Sequence, residues 1–392
     1  MGREVELLVE KKSCVGCGNC SVVCKMKACT FSRDQEGYYY PTINEALCIS
    51  CKACINVCPV INHDKLLIDN YRNLTYSGYL KDQKKLLECA SGGAATAIAE
   101  MFLKSKGVIY GVAYSSDFTY ACHVRVDSIN ELSKLKGSKY IQSRKNFIFN
   151  QVLDDLKKGI QVCFFGVPCE IAALKAFLKT EFANLTTCEL ICQGTMSEII
   201  QEQFIERLEC IYQSKVVEFS ARSKKLGWIP PYIFVKFAND KEYCKMAHFT
   251  DYGEAHELML RPSCYNCEFK GEKRVADITI GDGWGVQKDS NQWNNNGTSV
   301  VISHTDKGNN LIQACTNMCL ADVDYNQILI HNPMLENRWS EDKKRASFAE
   351  LMQQKGLHYA CKRKRNRKRT FKCLVNRIVP DKIWVLLKNI KN

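Results

Sequence analysis

Nine of the 23 cysteines fall before Val60, and eight of them form two runs. The first is Cys14-Val-Gly-Cys17-Gly-Asn-Cys20-Ser-Val-Val-Cys24; the second is Cys48-Ile-Ser-Cys51-Lys-Ala-Cys54-Ile-Asn-Val-Cys58-Pro59. Cys-x2-Cys-x2-Cys-x3-Cys is the ligand spacing of a two-cluster 4Fe-4S ferredoxin. Three cysteines on one loop can wrap three corners of a cubane, while the fourth, about one helical turn later, points away and reaches the other cluster. The crossed assignment groups Cys14, Cys17 and Cys20 with Cys58, and Cys48, Cys51 and Cys54 with Cys24. Gly16 and Gly18 would let the backbone approach the sulfurs closely. Lys25 follows Cys24 where proline is usual, which bears on turn geometry and not on ligation. Cys29 is surplus and reads as a plain thiol. A zinc module would use paired Cys-x2-4-Cys units rather than two runs of four.

A second set is dispersed: Gly166-Val-Pro-Cys169-Glu, Leu190-Ile-Cys192-Gln-Gly194, and Arg261-Pro-Ser-Cys264-Tyr-Asn-Cys267-Glu-Phe. Cys169 and Cys192 each follow an apparent strand and adjoin Pro or Gly, as in loops at strand ends. By spacing alone, buried free thiols with a zinc half-site at Cys264 and Cys267 explain this set as well as a cluster does.

Composition narrows the setting. The chain has 392 residues, 46% hydrophobic and 25% charged, which excludes wholesale disorder and a collagen-like fibre. Its length fits two to three domains. The start, MGREVELLVEKKSC, lacks the basic and apolar stretches of an export signal. No window approaches the ~20 apolar residues of a membrane span. A cytoplasmic setting keeps thiols reduced, so metal ligation is favoured over disulfides. Residues 361–392 hold 12 Lys/Arg and one acid, Asp381, leaving 43 basic and 41 acidic residues in the remainder. The net charge of +13 therefore belongs mostly to a tail.

The elements that must position these residues follow from periodicity. Residues 1–62 hold the repeat and form a small ferredoxin-like domain. Asn62 to Lys85 is polar and reads as a linker. AATAIAEMFLKSKG (94–107) has helical spacing, and GVIYGVAY (107–114) reads as a buried strand. A helix over 147–158, a strand over 160–166 and a helix from Glu170 to about Lys179 follow; such alternation argues an α/β core. Residues 216–249 are β-like, and 276–285 and 298–305 read as strands ending in turns. The fold class expected is α+β to α/β: a ferredoxin-like 2x 4Fe-4S domain and then a mixed α/β body divided as 70–150 and 151–335, with a basic, helix-compatible tail over 340–392.

Six segments of this body carry a resemblance: SGGAATAIA (91–99), KGSKYIQS (136–143), GVPCEIAALK (166–175), LICQG (190–194), RPSCYNCEF (261–269) and ADITIGDGWG (276–285). In this order they resemble the beta-subunit family of coenzyme F-420 hydrogenases and dehydrogenases, in which a fused N-terminal ferredoxin is a familiar arrangement. The resemblance covers about residues 70–310. It implies a bound FAD, with FMN the lesser choice, and a third 4Fe-4S cluster on Cys169, Cys192, Cys264 and Cys267. The match departs at Glu170 and Gln193, where Gln and His are common. For the flavin it points to Ser91, Gly92 and Gly93 before a helix, to Ser138, Lys139 and Tyr140 in a loop, and to Asp282 and Trp284 in a turn. Taken alone, these three groups read as an N-cap with packing glycines, a solvated turn and a core Trp.

Combined, these parts predict an iron–sulfur flavoprotein oxidoreductase. It would pass electrons between ferredoxin-type clusters and FAD, for hydride reduction or oxidation of a small molecule. The substrate would be a deazaflavin such as coenzyme F-420 or a polysaccharide-synthesis intermediate. A non-catalytic electron-transfer subunit of a larger redox complex is the alternative. The partner expected is an electron-carrier protein or a redox complex. No acid/base residue stands out, and the seven histidines read as structural or surface residues. The block Lys362–Arg369, followed by apolar residues and Trp384, reads either as a solvated helix with a docking segment or as an anchor on an anionic membrane surface. The latter would place the protein peripherally at the inner face of the membrane. Nucleic acid is not an expected partner.

Overall fold

The computed structural model describes residues 9–69 and 71–364. The basic block from Arg365 onward, with Trp384, lies outside the described residues.

The small N-terminal module repeats one local design. Each cysteine loop ends in a four-residue helix, Asn19–Val22 in the first and Ala53–Asn56 in the second. Gly16 and Gly18 have φ of +65° and +81°; their equivalents Ser50 and Lys52 have φ of +53° and +59°. The second loop thus holds the left-handed backbone without glycine, at a cost of roughly 1 kcal/mol or more per residue. Strands β1 (Cys29–Arg33) and β2 (Tyr39–Ile43) form an antiparallel hairpin that completes the module.

The body contains β3 (Leu74–Leu80), β4 (Val108–Tyr114), β5 (Ala121–Val126), β6 (Ser143–Arg144), β7 (Val162–Gly166) and β8 (Leu185–Leu190). There follow β9 (Val216–Ser223), β10 (Tyr232–Phe237), β11 (Glu242–Met246), β12 (Ile278–Asp282), β13 (Ser299–Ser303) and β14 (Met318–Asp322). Nine of these form one mixed sheet in the order β14-β3-β13-β12-β8-β7-β4-β5-β6. Its centre, β12-β8-β7-β4, is parallel throughout. Such strands are covered on both faces, which is why Val162-Cys-Phe-Phe165 reads as a continuous apolar run. Strands β9 to β11 form a separate three-stranded antiparallel sheet. The body is therefore mixed α/β with a large sheet, following a small N-terminal domain, as the patterning predicted.

Two expectations fail. The stretch read as a linker contains β3, which lies between β13 and β14 inside the large sheet. Its Thr75 and Ser77 are buried and its Gly78 lies flat against the Cys319 carbonyl, so hydropathy alone hides it. The start of the expected tail is also structural. Helices Arg345–Lys355 and Leu357–Lys364 bury Phe348, Met352, Leu357 and Cys361 in the core that includes Phe204 and Tyr252. An apolar stripe every three to five residues outweighs the charges between them. The two segments proposed for the body, 70–150 and 151–335, share one sheet, since β4 pairs with β7 and β3 with β13. Among the described residues no helix is long and apolar enough to cross a membrane.

Candidate functional site

The first cysteine loop lies against the body. Cys14 is buried, and Val15 and Cys17 pack on an apolar cluster containing Phe149, Phe164, Ile171 and Val275. Three side chains fasten this loop. Asn19 Nδ2 donates to the carbonyls of Val57 (3.1 Å) and Ala173 (2.8 Å). Gln142 Nε2 donates to Val15 O at 2.8 Å. Arg261 Nε donates to Cys14 O at 2.8 Å. Burial pushes the Cys17 thiol up to about 12, with Cys14 and Cys58 adding to the rise. Burial raises Cys58 as well, which feels Cys14 and Cys54. Cys58, from the end of the second run, thus sits within electrostatic reach of the first.

The second loop faces outward. Cys48 and Cys51 are exposed, and Ile49 between them is 64% exposed. Cys24 and Cys54 are half-buried. Burial raises Cys54, which feels Cys48 and Cys29. Cys29, read as a surplus plain thiol, is buried, and its proximity to Cys20 raises the Cys20 thiol while its own is lowered.

In the body, the carboxyl ends of two parallel strands carry half of the second cysteine set, and a short helix carries the rest. Cys169 begins the helix Pro168–Leu178 immediately after β7. Cys192 follows β8, and Cys264 and Cys267 flank the end of the short helix Pro262–Tyr265. Their four thiols are mutually coupled. Burial lifts Cys169 well above its ordinary range, and Glu170, Cys267, Cys192 and Cys264 all add to this. Cys192 is pushed up to about 11, again chiefly by burial. Buried, mutually repelling thiols favour the protonated form until a cation joins them, so this donor set suits iron. Cys169 and Cys267 pack on the same apolar cluster as Cys17. Among the described residues, no three His, Cys, Asp or Glu side chains close to single-ion spacing.

A cavity of about 310 Å³ opens at these strand ends, the crevice where open α/β sheets bind ligands. It is lined by Ser91, Gly93, Ser138, Lys139, Tyr140, Asp282 and Trp284, seven of the eight residues singled out for a flavin, and by Cys192. The helix Ala94–Lys104 points its uncapped N-terminus here, with Ala94, Ala95 and Thr96 in the wall. Its free amides suit a flavin oxygen or a phosphate. Gly92 is the exception. A Cβ there would stand 2.2 Å from Ser299 N and 2.4 Å from Gly78 O, so this glycine serves packing against β13 and β3. Ser91 Oγ donates to Thr298 O at 2.7 Å instead of capping the helix. Burial brings Lys139 down to about 7, and its ammonium donates to the carbonyls of Leu135 (2.9 Å) and Lys136 (2.7 Å). Its stem lines the cavity while the charge is capped.

Other residues in the wall and just behind it were not legible in the sequence. Arg222 pairs with Asp282 at 2.5 Å, lies over the Trp284 ring, and keeps a buried Nε without a hydrogen-bond partner. Lys224 Nζ donates to Ser91 O at 2.6 Å and Leu86 O at 2.7 Å, pinning the glycine loop; burial lowers it to about 8. At the floor, Ser143 Oγ donates to Glu170 Oε1 (2.8 Å) and contacts His123 Nδ1 (2.9 Å), and Lys145 Nζ reaches Glu170 Oε1 at 2.7 Å. Burial opposes ionisation of Glu170, yet the Lys145 ammonium and the Val167 amide hold it down at about 2. Burial also lowers His123 to about 4 despite Glu170, so it is neutral at pH 7. A second cavity of about 340 Å³ shares Tyr140 and Gln193 with the first.

The fold and site define a class: an iron–sulfur electron-transfer protein in which a dicluster module is docked on an α/β body, at the loops beside its strand-end crevice. Comparison with known proteins specifies it. Residues 13–62 match the 4Fe-4S dicluster domain, and residues 160–325 match the family described as the C terminus of the coenzyme F420 hydrogenase/dehydrogenase beta subunit. The body thus carries the C-terminal region of this beta-subunit family, with a dicluster ferredoxin domain preceding it. It is 27% identical over 316 residues to the coenzyme F420-dependent sulfite reductase of Methanocaldococcus jannaschii, covering 78% of this chain and 46% of that protein. The chain thus spans less than half the length of this relative. An uncharacterized ferredoxin of the same organism is 36% identical over 55 residues, covering 14% of this chain and 70% of the ferredoxin. A chain of the F420-reducing NiFe hydrogenase complex from Methanosarcina barkeri superposes with a TM-score of 0.46 at 16% identity, covering 75% of this chain and 91% of that one.

Proposed function

We propose that this chain is a ferredoxin-linked, flavin-dependent oxidoreductase. Its cysteines hold three 4Fe-4S clusters, and its strand-end cavity holds FAD. The outer cluster is assigned to Cys48, Cys51, Cys54 and Cys24, the inner to Cys14, Cys17, Cys20 and Cys58, and the third to Cys169, Cys192, Cys264 and Cys267. One observation carries the reading. Cys17, Cys169 and Cys267 pack on one apolar cluster, and Cys192 lines the cavity, so the cysteine sets and the cavity form a contiguous series.

A bound flavin supplies the exchange between hydride pairs and single electrons. The chain's own residues bind and orient it. Gly93 and the amides of Ala94 to Thr96 offer donors, and the free Nε of Arg222 offers another. Trp284, stacked on Trp228 with centroids 4.9 Å apart, walls one side. The adjoining cavity gives room for a nucleotide half, which supports FAD over FMN. The substrate is a small conjugated hydride donor or acceptor, either a deazaflavin, in line with the sulfite reductase relative's name, or a polysaccharide-synthesis intermediate. The exposed loop of Cys48 and Cys51 is the docking point for an electron-carrier protein or redox complex. The basic C-terminal block binds an anionic membrane surface; full-length protein should sediment with anionic vesicles, and a chain ending at Lys364, which keeps the buried Cys361, should not.

Anaerobic purification with flavin and iron counting tests the central reading. About twelve irons and one flavin per chain, with turnover of an artificial electron acceptor, are expected. About eight irons without flavin or turnover would instead make the chain a non-catalytic electron-transfer subunit.

A further inference from the structure

Three arginines are buried among the described residues: Arg261, Arg274 and Arg345. Arg274 pairs with Glu189 at 2.5 Å, and Arg345 pairs with Glu36. Arg261, 1% exposed, has no carboxylate partner among the described residues. Its Nε donates to Cys14 O at 2.8 Å, Nη1 to Gln142 Oε1 at 2.8 Å, and Nη2 to Tyr39 O at 3.0 Å. The guanidinium carbon lies 4.4 Å from the Tyr40 ring centroid and 5.3 Å from that of Tyr38. The acids of this neighbourhood are engaged elsewhere, Glu36 with Arg345 and Asp34 with Lys11 and with the amides of Glu36 and Tyr38.

A guanidinium cannot shed its proton in a protein. Left buried without a counter-charge it costs several kcal/mol. Carbonyl dipoles and ring faces offset part of that. The rest calls for an anion that is not a carboxylate, and the surroundings name one. The guanidinium lies so close over the first cysteine loop that a Cβ on Gly16 would stand 2.6 Å from Nη1. Three residues along its own chain is Cys264, whose amide donates to Arg261 O at 2.8 Å, so the loop of the body cysteines begins at the arginine itself. An oxidised cubane with four thiolates carries about −2 and gains another negative charge on reduction. A cation between two such groups stabilises their reduced states.

We propose that Arg261 is a positioning residue that serves as the shared counter-charge of the module's inner cluster and the body cluster, clamping their two loops together and raising the reduction potential of both. This rests on the third cluster proposed above. In the forward transfer one electron leaves the inner cluster, which is oxidised, and enters the body cluster, which is reduced; the guanidinium keeps its proton throughout.

The test is a potentiometric titration followed by electron paramagnetic resonance on anaerobically purified full-length protein, with iron counted per chain. Arg261→Met should lower the reduction equilibrium of both clusters about tenfold, which is 59 mV for one electron, and leave the outer cluster unmoved. Arg261→Lys keeps the charge and should hold both within about threefold. Gln142→Glu, of nearly the same shape, leaves Arg261 in place but sets a carboxylate on Nη1, and should shift both potentials in the same direction as Arg261→Met. This variant decides the matter should Arg261→Met lose its iron. Unmoved potentials in an iron-loaded Arg261→Met or Gln142→Glu protein overturn the proposal, as do equal shifts in the Lys and Met variants. Wild-type protein with about eight irons instead of about twelve refutes the third cluster itself, a failure separable from that of Arg261.

Discussion

The loops Cys14–Cys20 and Cys48–Cys54 have the same cysteine spacing, the same pair of left-handed backbone positions and the same short helix behind them. Their surroundings are opposite. The first is buried against the body and held by Asn19, Gln142 and Arg261; the second presents Cys48, Ile49 and Cys51 to solvent. Residue choice follows the surroundings. Gly16 has a guanidinium where a Cβ would go, while its counterpart Ser50 is exposed and keeps a side chain at φ +53°. Asn19 bonds to two buried carbonyls; its counterpart is Ala53. A repeat fixes the shape of a ligand loop, and the neighbour it meets decides whether that loop serves as an inner relay or an outer port.

That contrast can be broken by substitution. The largest effect is expected for Gly16→Ala, which puts a Cβ into the Arg261 guanidinium at an unfavourable φ. Anaerobic denaturation should show a loss of about 2–4 kcal/mol, with iron lost from the inner cluster first. A loss below about 1 kcal/mol would mean that the first loop is not held as tightly as the second is free. Iron removal by a chelator should run in two phases, because the outer cysteines are exposed and the inner ones covered. The outer cluster's resonance should vanish in the fast phase, and a single phase would erase the distinction between the loops. Asn19→Ala should cost about 1–3 kcal/mol through two carbonyls left without a donor, whereas Ala53→Asn should stay within about 0.5 kcal/mol. Equal effects would make the loops equivalent after all. The smallest change is a gain. Ser50→Gly relieves a left-handed non-glycine residue and should stabilise the module by about 0.5–1 kcal/mol, read as a shift of the denaturation midpoint.

Legibility followed distance along the chain. The cysteine runs stand out because the ligand spacing of a cubane is written within eleven residues. The helix Ala94–Lys104 and strands β4, β7 and β12 stand out because their burial follows one local period. Strand β3 does not, since Thr75 and Ser77 are buried on polar contacts. The helices after Arg345 are hidden by charge, although Phe348 and Met352 share a face. Glu170 drew notice only as a departure from a motif. Its meaning comes from Lys145, Ser143 and His123, which lie on or just after other strands. Arg222 and Lys224 read as ordinary charges of a β-like stretch, and only the closure of the second sheet onto the glycine loop brings Arg222 to the cavity and Lys224 to the carbonyls behind it.

By itself the sequence determined which cysteines carry the dicluster spacing and in what local loops, many of the strands and helices of an α/β body, and that its positive charge is gathered at one end. These are local properties, set by spacing, periodicity and composition. Tertiary structure alone decided which cluster loop faces the body and which faces solvent. It also brought Cys192 to the cavity wall and left a buried arginine between two cysteine loops with no carboxylate partner among the described residues. Arg261 is 247 residues from Cys14, and burial and charge balance at such separations exist only once the chain has folded.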